Sequence, residues 1–189
     1  AFPLDPNESV DTDSDGTGNK TETAPDGDGV DDGNDSFPLD PSESVDADND
    51  GEGDNADTDD DNDGLSDAEE TQLGTNPLDS DSDNYGFGDG HEVNNIGTNP
   101  LASDTDDDGL EDRDEVVNHF TDPNDSDSDD DGINDGEEVS LGTNPNQSDS
   151  DNDGVPDSED AFPLDPNESV DTDNDGEGDN ADTDDDGDG

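Results

Sequence analysis

The chain has 189 residues, of which 66 are acidic and 2 basic, giving a formal net charge of −64, while only 18% are hydrophobic and 3% aromatic. So few apolar side chains cannot offset the conformational entropy of a chain this long by burial in one core, so it is either disordered or held by something else. The same balance argues against nucleic acid and anionic lipid as partners, no apolar run is long enough for membrane insertion, and zero Cys removes disulfides and thiol chemistry.

Repeats decide between disorder and architecture. Residues 37–64 recur at 162–189 with three differences in 28 positions, and "GTNP" occurs at 74–77, 97–100 and 142–145, with the variant "FTDP" at 120–123. The chain lacks an initiating Met and both its ends fall within repeated units, so a section of a longer array is expected. Beneath these phrases runs a twelve-residue window with acids at positions 1, 3, 5, 9 and 12 and Gly at 6. It starts at residues 11, 24, 46, 59, 81, 104, 127, 149, 171 and 184.

In chain order, the first window offers Asp11, Asp13, Asp15, the Thr17 carbonyl and Glu22, with Asn19 at position 9. The second has Ala24 at position 1, leaving Asp26, Asp28, the Val30 carbonyl, Asp32 and Asp35. The third is complete, with Asp46, Asp48, Asp50, Glu52 (carbonyl), Asp54 and Asp57, and so is the fourth, with Asp59, Asp61, Asp63, Leu65 (carbonyl), Asp67 and Glu70. The fifth has Tyr85 at position 5, leaving Asp81, Asp83, Asp89 and Glu92; this and the second are the expected weak sites. Asp104, Asp106, Asp108, Leu110, Asp112 and Glu115 make the sixth, and Asp127, Asp129, Asp131, Ile133, Asp135 and Glu138 the seventh. The eighth holds Asp149, Asp151, Asp153, Val155, Asp157 and Asp160, and the ninth Asp171, Asp173, Asp175, Glu177, Asp179 and Asp182. The last stops at Asp184, Asp186 and Asp188.

This spacing is that of a calcium loop. Calcium takes six to eight oxygens, which a twelve-residue loop supplies from side chains at 1, 3, 5, 9 and 12 and the carbonyl at 7, with Gly at 6 for the sharp turn. Magnesium prefers fewer protein ligands, and metals suited to imidazole or thiolate find no site. One match is weak evidence; the repeated register is strong. The carboxylates are tolerated because divalent cations lie between them, and without metal the array is expected to be expanded and flexible. More acids are present than one ion per window needs, so a second ion per window also fits.

Between windows, single threonines (Thr23, Thr58, Thr183) or connectors of ten or eleven residues are found. "SDAEETQL" predicts one or two helical turns ending at Gly74, and residues 90–95, 113–119 and 136–141 do likewise. In "AFPLDPNESV" two prolines predict an extended or turn path. Connector apolar residues such as Phe37, Leu39, Leu73, Leu78, Phe120, Leu141 and Leu164 are expected to pack on the neighbouring window without forming a common core. His91 and His119 have no second imidazole at ligand spacing, and no substrate cleft is indicated, so an enzyme is not expected.

The windows "DTDNDGEGDNADTDDDGDG" at 171–189 and "DSDDDGINDGEEVSLGTNP" at 127–145 resemble thrombospondin type 3 repeats, the second in the bacterial style. The resemblance implies repeats wrapped around lines of calcium ions, with the acids at 1, 3, 5, 9 and 12 as ligands, in secreted or cell-surface proteins. Animal members have a Cys two residues after the position-9 acid, where this chain has Ala56 and Ala181, so metal and connector packing must replace disulfides. The expected fold is therefore a mostly irregular, calcium-stabilised repeat array over residues 1–189, elongated and solenoid-like, with short helical turns and no conventional hydrophobic core. The expected role is an extracellular spacer or fibre rigidified by calcium. Its rivals are an adhesin module that uses the array as its recognition surface, a self-assembling surface filament, and a disordered mineral-binding polyelectrolyte. Partners are calcium, further copies of the chain, or flanking domains of a larger surface protein.

Overall fold

The computed structural model of the chain describes residues 10–14, 18–19 and 23–188. The first window's Asp15, Thr17 and Glu22 lie outside the described residues. Two compact units are present: one runs to Ser82 and includes Gly88–His91, and the other comprises Asp83–Phe87 and the chain from Glu92 onward. The first contains helix α1 (Asp67–Leu73) and α2 (Asp89–His91). The second contains a π-helical turn at Glu92–Ile96, helix α3 (Asp112–Asp114) running into a π-turn at Glu115–His119, helix α4 (Asp135–Leu141) and a 3₁₀ turn at Asp157–Glu159. Among the described residues there is no β-strand, and the remainder is turns and bends. The fold is thus the mostly irregular repeat array that the composition requires.

Each window closes on itself by the same backbone device. The N–H of position 9 donates to the carbonyl of the residue just before the window, as in Asp67 to Thr58 (3.0 Å), Asp112 to Ser103 (2.9 Å) and Asp157 to Ser148 (3.0 Å). Between these points two residues take left-handed conformations. Gly at position 6 does so at Gly64, Gly109 and Gly154, where φ lies between 97° and 102°. Position 4 does so as well, and there the residue is usually Asn or Asp: Asn49, Asn62, Asn84, Asp107, Asp130, Asn152 and Asn174 all have φ between 56° and 66°. Asn and Asp tolerate this region better than other non-glycine residues. The sequence reading gave the turn to Gly alone and missed this second bend.

The helices begin at position 9. Ser66 caps α1 in a capping box with Glu69, whose carboxylate accepts from the Ser66 N–H at 3.0 Å. Both seven-residue helices end at a left-handed glycine, Gly74 and Gly142, as the sequence predicts. Repeats starting at 81 and 104 are one residue longer than those at 59 and 127, and that residue is absorbed as a π-turn: Gly97 donates to the Glu92 carbonyl and Phe120 to the Glu115 carbonyl, each five residues back, at 2.6 Å. A π-bulge accommodates a single extra residue inside a helix.

The interior is carboxylate rather than hydrocarbon. Among the described residues the buried apolar side chains are Leu65 and the prolines Pro25, Pro100, Pro123 and Pro145, whereas the largest fully buried side chains are Glu70, Glu115, Glu138, Asp89 and Asp135. Of the connector residues expected to pack on neighbouring windows, Phe37, Val93, Ile96, Val116, Val139 and Phe162 are half-buried, whereas Leu73 (41%), Leu39 (63%) and Phe120 (75%) are exposed. Leu141, Phe162, Pro163 and Leu164 line one open apolar depression, so what apolar packing there is stays local and shallow.

Candidate metal centre

Within each window the loop fixes one oxygen of a carboxylate and leaves the other over. At position 1, Oδ2 of Asp104 accepts from the Gly109 N–H (3.0 Å). At position 3, Oδ1 of Asp106, Asp129 and Asp151 accepts from the N–H two residues on, at 3.0–3.2 Å. At position 12, Oε1 of Glu70, Glu115 and Glu138 accepts from the hydroxyls of Thr75, Thr121 and Thr143 at 3.1–3.4 Å. These are the threonines of the "GTNP" phrase and its variant, buried beside the acid they hold. Their role was missed in the sequence, although their recurrence was visible.

The second oxygens have no protein partner. Buried and without a hydrogen bond are Oδ1 of Asp11, Asp46, Asp59 and Asp104 at position 1, and Oδ2 of Asp26, Asp61, Asp106, Asp129 and Asp151 at position 3. So are Oδ2 of Asp35 and Asp160 and Oε2 of Glu70, Glu115 and Glu138 at position 12. Buried polar atoms in folded proteins are nearly always paired, so orphan oxygens repeated at the same three positions are the donor set of a cation. Ligand oxygens of Asp59, Asp61 and Asp63 lie within 4.8 Å of one another, as do those of Asp104, Asp106 and Asp108, of Asp46, Asp48 and Asp50, and of Asp26, Asp28 and Asp35. An all-oxygen, all-anionic donor set suits a hard divalent ion, and calcium above all.

Position 5 faces two ways. Its Oδ1 accepts from the position-7 N–H, as in Leu65 to Asp63 (2.8 Å) and Leu110 to Asp108 (2.7 Å). Its Oδ2 accepts from the N–H at position 10 of the following window, as in Gly90 to Asp63 (2.6 Å) and Gly136 to Asp108 (2.9 Å). Position 9 is braced by position 2. Asp89, Asp112, Asp135, Asp157 and Asp179 each accept the N–H with Oδ1 and the hydroxyl with Oδ2 from Ser82, Thr105, Ser128, Ser150 and Thr172, at 2.6–2.9 Å. Asp54 and Asp67 accept only the N–H, because Ala47 and Asp60 stand at position 2. Pro25 at that position of the second window has no N–H to give Asp32.

Metal-free, these groups resist ionisation. Burial, reinforced by Asp61 and Asp63, pushes the Glu70 carboxyl up to about 7. Burial and the charge of Asp106 raise Glu115 to about 8, and burial with Asp129 raises Glu138 to about 7. Asp61 and Asp106 rise to about 6, chiefly by burial. Asp60 also rises to about 6, by burial and then by Asp67, Asp54, Asp57 and Asp48, so it faces the preceding window. In the fifth window Tyr85 stands where an acid does elsewhere. In the second unit, Asp83, Tyr85 and Glu92 share a small cavity with Asp112 and Arg113.

The bacterial TSP3 repeat matches the chain four times, at residues 59–80, 81–103, 104–126 and 127–148. Each match begins at position 1 of a window and ends just before the next, so the family's unit and the window register coincide. No curated protein matches the chain. No helix of the described residues is long and apolar enough to cross a membrane. Residues 59–148 therefore match four successive units of the bacterial TSP3 repeat, a calcium-binding repeat, and the buried unpaired oxygens of their windows fit that ion.

Proposed function

We propose that the whole chain is a calcium-loaded structural array that acts outside the cell as a spacer or fibre, with its windows binding calcium through positions 1, 3, 5, 7, 9 and 12. The observation that supports this best is the set of buried, unpartnered carboxylate oxygens repeated at positions 1, 3 and 12, because like charges brought together away from water need a counter-ion to stay folded. Calcium supplies that charge and takes the place of an apolar core. Each ion bound only by the folded loop stabilises it by about 1.4 kcal/mol at ten times its Kd. Extracellular calcium modules work near 10⁻⁴–10⁻³ M, roughly the calcium level outside cells.

The test is calcium titration by calorimetry with small-angle scattering of the same samples. Stoichiometric uptake together with a narrower, better-defined scattering profile than in chelator supports the reading. Absence of uptake, or identical profiles, removes it. A filament is the second reading, favoured by Leu39 and Leu164, which occupy equivalent places in two of the three copies of one connector and are both more than half exposed. Calcium-dependent assembly seen by electron microscopy would distinguish it from a monomeric spacer.

A further inference from the structure

Between the sixth and seventh windows sits a carboxylate cluster that neither window completes alone. Asp108 and Glu115 come from the sixth and Asp135 from the seventh, and their ligand oxygens lie within 4.8 Å of one another. Glu115 and Asp135 are fully buried, and Glu115 Oε2 has no partner.

Each member is held rigidly by the chain. Asp135 accepts from the Ser128 N–H (2.9 Å) and hydroxyl (2.6 Å), Asp108 from the N–H groups of Leu110 (2.7 Å) and Gly136 (2.9 Å), and Glu115 from the Thr121 hydroxyl (3.1 Å). Gly136 makes the approach possible, since a Cβ there would lie 2.6 Å from the Asp108 carbonyl oxygen. Three anionic groups fixed this close, two of them out of water, repel strongly unless a cation lies between them.

We propose that Asp135 serves the cation of the preceding window, so that one divalent ion is bound by Asp108, Glu115 and Asp135 and ties two repeats together. In the general loop template the position-9 acid serves its own loop; here the backbone contact from Gly136 carries it to its neighbour's. The arrangement recurs. Gly90 N–H docks on Asp63 and brings Asp89 to bear on Glu70, while Ser158 N–H docks on Asp131 (3.2 Å) and brings Asp157 to bear on Glu138. An ion of this kind binds fully only when the next repeat is folded, so occupancy is coupled between neighbours, as in other nearest-neighbour repeat arrays.

The inference rests on the calcium reading of the windows, and the test separates the two. The calcium count of the full chain is measured by calorimetry for the unaltered protein, Glu115→Gln, Asp135→Asn and the double variant. A shared ion predicts that each single change lowers the count by one and that the double change also lowers it by one. A drop of two in the double variant, or no drop in Asp135→Asn, overturns the sharing. Pairing Asp135→Asn with Asp127→Asn, which removes a position-1 ligand of the seventh window, is expected to lower the count by two; a drop of one there returns Asp135 to its own loop. Helicity at saturating calcium, followed by circular dichroism, shows whether each variant still folds. If one does not, Asp89→Asn with Glu70→Gln repeats the test at another junction. If the unaltered chain takes up no calcium, the proposed function fails first.

Discussion

Two kinds of repeat use the same loop and finish it differently. Where a window is followed by "GTNP" or its variant, its last acid is Glu: Glu70, Glu92, Glu115 and Glu138. That Glu lies on a helical turn, its Oε1 gripped by a threonine, as in Thr98 to Glu92 at 3.1 Å. Where an "FPLDP" connector follows, the last acid is Asp. Asp35 and Asp160 accept from the N–H of Phe37 (2.8 Å) and Phe162 (2.7 Å) two residues on, so the chain turns at once instead of winding into a helix. Later in that connector Glu168 fastens on the following window through the Asn180 N–H (3.0 Å), and Glu43 does the same with Asn55 (3.1 Å). One methylene in the closing acid therefore goes with the choice between a helical and a turned exit.

The broadest way to break this comparison is pH. In chelator, folded Glu70, Glu115 and Glu138 hold their protons up to about 7, about 8 and about 7, whereas in an unfolded chain they release them near ~4.3. The metal-free fold therefore binds more protons across that window. Its stability is full below the unfolded value and is lost as pH rises through 7 to 8. Circular dichroism of the chelated protein is expected to gain helical signal on acidification from pH 8 to 5, while calcium affinity falls over the same range. Helical signal that falls on acidification in chelator contradicts the burial of these acids.

A sharper test exchanges the closing acid. Glu138→Asp keeps the charge and removes one methylene, so calcium affinity of the seventh window is expected to drop at least tenfold, with the loss of helical signal from α4. Unchanged affinity in calorimetry would mean that reach does not matter. Removing the grip is milder: Thr121→Val deletes a hydrogen bond to a buried carboxylate and is expected to weaken one site by about 1–2 kcal/mol, with Thr121→Ser restoring it. The smallest effect is at Phe120, which stands in the left-handed position (φ 60°) that Gly74 and Gly142 fill elsewhere. Phe120→Gly is expected to stabilise the calcium-loaded protein by about 0.5–1 kcal/mol, read as a small rise in Tm.

The loop was legible because its chemistry is local. Asp104, Asp106 and Asp108 with Gly109 state their geometry by spacing alone, and the helix over "SDAEETQL" announces its own cap and stop. What spans two repeats was not legible. Nothing in the spacing says that the Gly136 N–H reaches Asp108, or that Asp60 faces the window before its own, since these depend on how one turn stacks on the next. The hydroxyls of Ser128 and Thr121 were visible as recurring letters, but their task required knowing which carboxylate oxygen each one occupies. The connector apolar residues were half legible: Leu164 meets Leu141 and Phe162, and Leu39 meets Phe37, but these patches are too small to cover the leucines, which stay more than half exposed.

The π-turns at Glu92–Ile96 and Glu115–His119 have a consequence for how such a gene can change. Tandem copies are prone to slippage during replication, and an added codon would ordinarily throw every downstream contact out of step. Here Thr98 and Thr121 meet their glutamates six residues along, while Thr75 and Thr143 meet theirs after five. The helix widens for one turn and returns the chain to register, so units of 22 and 23 residues are interchangeable parts.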